Sequence, residues 1–71
     1  MKTTSADLLQ MLRFNGKRWN DYEDIHQVLT DAEGEPVTRE NVMELVDDLL
    51  AAGMLGQRVQ PTYKHRQYIV A

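Results

Sequence analysis

Seventy-one residues, 42% of them hydrophobic and 27% charged, suffice for one small domain (residues 1–71) and leave no room for a second. The absence of cysteine excludes disulfide staples and thiolate zinc sites, and nothing points to an oxidising compartment. No apolar run approaches the ~20 residues of a membrane span, and Asp7 and Gln10 interrupt the N-terminal apolar stretch, so a cytoplasmic protein without membrane contact is expected.

The net charge of −3 conceals a segregation. Residues 1–20 carry Lys2, Arg13, Lys17 and Arg18 against Asp7, a balance of +3. Residues 21–50 carry ten carboxylates against Arg39 alone, a balance of −9. Residues 51–71 carry Arg58, Lys64 and Arg66 with no acid, again +3. Basic ends thus flank an acidic middle.

In chain order, Thr4-Ser5-Ala6-Asp7 fits a capping box, with a hydroxyl at the start and a carboxylate three residues on. Leu8, Leu9, Met11 and Leu12 give an apolar face at helical spacing, and Asn15-Gly16 gives a stop, so a first helix is expected over residues 5–15. Lys17-Arg18-Trp19 either delivers Trp19 to the core or forms one rung of a strand. Asn20-Asp21-Tyr22-Glu23 repeats the capping logic, and Tyr22, Ile25, Val28 and Leu29 continue it as a second helix over 21–31. Ala32–Pro36 should turn, because Gly34 and Pro36 are poor helix interiors.

The third helix is the best specified. Thr38 is a good N-cap, Val37 and Val42 occupy the positions of a hydrophobic staple, and Gly53 suits a left-handed stop, with Met54 placed to fold back on Leu49. Beyond it, Leu55–Gln60 and Tyr63–Val70 read as two strands joined by a short proline turn.

This order resembles the winged helix-turn-helix domain: an α+β fold of three helices followed by a two-stranded β-hairpin wing. The residues that carry the likeness are Thr38–Val42, the helix exit Leu49-Leu50-Ala51-Ala52-Gly53-Met54-Leu55, and the basic wing from Arg58 to Lys64–Val70. The resemblance implies double-stranded DNA as partner, with the third helix in the major groove and the wing on phosphate or the minor groove. It makes the chain a candidate regulator of transcription or of a mobile element, and palindromic target sites would require a homodimer.

Carried onto these positions, the resemblance makes Arg39 and Asn41 the base readers, since Arg pairs with guanine and Asn with adenine. Alternation along the second wing strand sets Lys64, Arg66 and Tyr68 on one side, near Arg58 across the hairpin, as a cationic edge. Charge protection of an edge strand explains the same residues without a ligand. Lys17 and Arg18, with Arg13, form a second basic group at the end of the first helix, where the helix dipole also favours cations.

Against DNA stands the polar face of the third helix. With Val42 at 0° and about 100° per residue, the apolar stripe of Leu45, Leu49, Val46, Leu50 and Met43 spans roughly −60° to +100°. Glu40, Glu44, Asp47 and Asp48 fall between about 140° and 240°, one acidic ridge pointing away from the core. Affinity for DNA comes largely from cations that displace counterions, which carboxylates oppose. The ridge is either an ordinary wetted face or, with Met43 or Trp19, a docking surface for a basic protein partner. No enzyme activity, cofactor or metal is expected, because His26 and His65 stand in separate elements with no metal-ligand spacing and no glycine-rich phosphate loop is present.

Overall fold

Three local capping signals start the three helices. In the computed structural model, which describes residues 1–71, α1 spans Ser5–Phe14 and opens on Thr4. The Asp7 amide donates to the Thr4 hydroxyl at 3.2 Å while the Thr4 amide donates to the Asp7 carboxylate at 3.0 Å, closing the expected capping box.

Helix α2 spans Tyr22–Glu33, and its box lies one residue later than the sequence suggested. Asp21 and Asp24 exchange the two capping bonds at 2.9 and 3.1 Å, not Asn20 and Glu23. Asn20 is otherwise engaged. It is buried as a rung of strand β1 (Asn20–Asp21), and its amide donates to the Arg18 carbonyl at 3.1 Å. Helix α2 also continues through Ala32 and Glu33, stopping only at Gly34, whose left-handed φ of 77° an L side chain rarely adopts.

Helix α3 spans Arg39–Ala51 and is capped by Thr38, whose hydroxyl accepts from the Asn41 amide at 3.1 Å. Its exit is a left-handed turn at Gly53 (φ 73°), closed by Met54 N–H to the Leu49 carbonyl and Gly53 N–H to the Leu50 carbonyl. That turn delivers the chain directly into β2 (Leu55–Val59), which pairs with β3 (Arg66–Val70).

The sheet has three antiparallel strands in the order β1-β3-β2. The expected hairpin is present, with strands shortened to 55–59 and 66–70, and β1 joins it through Asn20 opposite Tyr68 and Asp21 opposite Gln67. The connection runs from Gln60 to His65. Gln60 closes it, donating its amide to the His65 carbonyl and accepting from Lys64 at its own carbonyl, both at 2.8 Å. Lys64 sits at φ 63° and has left the strand.

The core draws on every layer. Leu8, Leu9 and Leu12 from α1, Ile25 and Leu29 from α2, Val42, Leu45, Val46 and Leu49 from α3, and Leu55, Tyr68 and Val70 from the sheet form one cluster. Full burial of such a side chain contributes on the order of 1.5–3 kcal/mol. The result is an α+β fold compatible with a winged helix, one small strand richer than expected. No helix is long and apolar enough to cross a membrane.

Glu33, at the end of α2, ties down the start of the chain. Its carboxylate accepts from the Thr3 hydroxyl, from the Thr3 amide at 2.9 Å and from the Lys2 amide at 3.1 Å. The Thr3 hydroxyl above all, then the two amides, lower its pKa. A depressed carboxylate stabilises the fold above its unfolded pKa and loses that contribution as pH falls through the folded value. Urea midpoints measured between about pH 7 and pH 3 should therefore fall more steeply for the native chain than for Glu33→Gln; parallel curves would show that the clamp is not a linked acid.

Candidate nucleic-acid interface

Period-two alternation decides where the wing's cations point. Leu55, Gln57 and Val59 share a face of the hairpin with Val70, Tyr68 and Arg66, their partners in register. Gly56 and Arg58 share the other face with Ile69 and Gln67. Tyr68 and Val70 are buried, so the first face turns toward the core and the second away from it.

The single cationic edge expected of Arg58, Lys64 and Arg66 is therefore not formed. Arg66 lies on the core-side face, beyond the end of the core, Arg58 on the outer face, and Lys64 in the turn. Tyr68, expected on one side with Lys64 and Arg66, is a core residue.

Arg66 instead meets the start of α3. A cleft of about 530 Å³ lies between the wing and the first turns of α2 and α3. Arg39 and Met43 line it from α3, Asp21, Tyr22 and Glu23 from the start of α2, and His65, Arg66 and Tyr68 from the wing. Asn41 does not line it; two residues beyond Arg39, it projects about 200° away around the helix. The two expected base readers therefore serve different sides of α3.

The other basic group is also divided. Arg13 and Lys17 border a small hollow with Gly16, Val70 and Ala71, at the end of β3. Arg66 opens that strand, about 13 Å away at ~3.3 Å per residue. Arg18 leads into Trp19, which lies beneath Arg58.

The three arginines share one property that the sequence did not announce. Arg39 places its guanidinium carbon 4.7 Å from the centre of the Tyr22 ring. Arg58 lies 4.2 Å above the Trp19 ring and donates from Nε to the Gln67 amide oxygen at 2.9 Å. Arg66 donates to the Gln57 amide oxygen at 2.9 Å. None has a carboxylate within 4.0 Å, and the one acid–base contact in the chain is His65 Nε2 to Asp21 at 4.0 Å. Aromatic faces and amide oxygens orient a guanidinium without cancelling its charge.

On the far side of α3, Glu40, Glu44, Asp47 and Asp48 are all exposed, as their helical angles require, and none is ion-paired. Met43 is half-buried in the cleft wall and does not belong to the ridge surface. His26 is half-buried, its Nε2–H donating to the Val37 carbonyl at 3.0 Å, so it pins the turn before α3. Sequence reasoning missed Phe14, which is 91% exposed beside an open groove of about 540 Å³ between α1 and α2. Its position four residues after Gln10, off the leucine stripe, was the available signal.

No protein-family model matches the chain, and neither a curated protein nor a solved structure does.

The Arg58–Trp19 stack has its own readout. Arg58→Ala removes the guanidinium from the indole face, so the fluorescence of this one tryptophan should shift to longer wavelength and quench more readily with iodide. An unchanged spectrum would mean that Arg58 does not rest on the ring in solution.

Proposed function

We propose that the chain is a small winged-helix DNA-binding protein, a regulator of transcription or of a mobile element, which meets double-stranded DNA at the mouth of the α3–wing cleft. One observation carries this reading: Arg39 and Arg66 converge on that cleft, each oriented by a neutral partner and neither within 4.0 Å of a carboxylate, although Asp21 and Glu23 line the same cleft. Guanidinium groups held in this way suit phosphate and base-edge contacts, because little ordering remains to be done on binding.

Lys64, at the wing tip, adds a third cation within reach of the duplex. The acidic ridge limits the approach. Charges on a surface act over about 10 Å at ~0.1 M salt, so the duplex must lie along the start of α3 and the wing and not along the length of the helix.

Fluorescence anisotropy with a labelled mixed-sequence duplex tests the reading. Affinity should fall steeply between about 50 and 300 mM salt, with each lost phosphate contact worth ~0.9 in the logarithmic slope. Arg39→Ala with Arg66→Ala should lower that slope by about 2 if both guanidinium groups meet phosphate. Absence of binding at ~50 mM salt, where attraction is near its strongest, would sink the proposal.

A second reading is favoured by the unpaired ridge of α3. Under it the domain is a protein-interaction module that presents Glu40, Glu44, Asp47 and Asp48 to a basic partner and does not need DNA. Glu44→Lys with Asp47→Lys should then abolish capture of partners from a lysate at low salt, and capture that survives the double change would remove the ridge from consideration.

A further inference from the structure

The outer face of the sheet is used neither by the core nor by the cleft. The helices bury their apolar side chains with Leu55, Tyr68 and Val70 on the opposite face. On the outer face Trp19 is half-buried under Arg58, and Ile69 is half-buried opposite Gly56. A Cβ at Gly56 would meet Ile69 Cγ2 at 3.4 Å, an ordinary contact, so the two residues sit side by side on this face. Arg18 and Lys17 lead into Trp19 along the chain, and no acid pairs with any of these cations.

We infer that this face docks the acidic ridge of α3 from a second copy of the chain, so that copies associate head to tail. The inference takes the ridge as a docking surface, the second reading above, and names its partner; it does not depend on DNA binding. Charge complementarity carries it. Four exposed carboxylates at Glu40, Glu44, Asp47 and Asp48 face outward from α3, and on the sheet Arg58 lies over the Trp19 ring, with exposed Arg18 and Lys17 one and two residues before it in the chain. Arginine and tryptophan are the residue types that most often carry interface energy.

The two surfaces cannot satisfy each other within one chain. The stripe of α3 opposite the ridge packs in the core against the inner face of the sheet, so the core separates ridge from outer face. A contact between two different patches is heterologous, and it continues into a ring or an open chain of copies instead of stopping at two. Arg39 and Arg66 lie on the cleft side of the wing, so assembly leaves them free.

Sedimentation velocity on the whole chain without DNA tests the inference. At ~50 mM salt the weight-average mass should rise with concentration past that of two chains, and at ~500 mM salt it should return to that of one, because screening weakens such contacts. Arg58→Glu, with the face spoiled, and Glu44→Gln/Asp47→Asn/Asp48→Asn, with the ridge neutralised, should each remain monomeric alone. Mixed in equal amounts they hold one intact face and one intact ridge between them, so they should form a heterodimer that cannot grow.

That capped dimer also shows that both variants are folded. A native chain that stays monomeric at ~50 mM salt, or a mixture that stays monomeric, overturns self-association. Loss of lysate capture in the ridge variants alongside a monomeric native chain would assign the ridge to another partner, and so separates failure of this inference from failure of the reading beneath it.

Discussion

The arrangement depends on the central strand β3. It pairs with β2 on one side and β1 on the other, so its register is fixed twice, through Tyr68 opposite both Gln57 and Asn20. A slip by one residue would send Tyr68 and Val70 to solvent and Gln67 and Ile69 into the core. With the register fixed, everything on the wing follows by alternation: Arg66 goes to the side that α3 occupies and Arg58 to the other. The two-sided distribution of charge is thus a consequence of burying two side chains of one strand.

Around that strand few charged groups hold the fold through ion pairs. Aromatic rings and amides fix the arginines, while carboxylates cap helix starts or point into water. Only Glu33, which collects three donors from Thr3 and Lys2, uses charge to join distant parts of the chain, and His65 Nε2 stands 4.0 Å from Asp21. Exposed ion pairs contribute only about 0–1 kcal/mol, so little stability is lost by leaving them unmade. What remains is a surface with few ion pairs, arginines at the cleft and on the outer face and an acidic helix opposite, which supports the association proposed above.

Much of this was legible in the residues, and the exceptions have identifiable causes. Thr4, Thr38 and Gly53 act where their chemistry indicated, because capping and left-handed turns depend on a few neighbouring atoms. Asn20 misled because Asn and Asp cap equally well. What displaced the cap to Asp21 was a non-local fact, the pairing of Asn20 with Tyr68 forty-eight residues away. The wing misled for a related reason. Counting alternation back to Lys64 assumes that the strand is unbroken, and the chain leaves it after Arg66, with Lys64 in the left-handed region. The cleft pairing of Arg39 with Arg66 could not be read at all, since it joins elements whose relative placement only packing fixes.

The acidic ridge is harder to explain as a face that merely needs wetting. A negative charge at Glu40 suits the first turn of α3, but Asp48 stands in the last turn, where the carbonyl end of the dipole disfavours it by ~0.3–1 kcal/mol, and no basic residue stands there to offset it. Spacing adds to the cost. Glu40 and Glu44, and Glu44 and Asp48, lie four apart, and Glu44 and Asp47 three apart, so each pair repels by about 0.2–0.5 kcal/mol. Lys or Gln at Glu44, Asp47 or Asp48 would wet the face equally well and strengthen the helix. In a chain short enough to bury only about 60% of its unfolded surface, such a sum is a large part of the stability margin. The ridge thus weakens its own helix, and that cost supports the docking role proposed for it above.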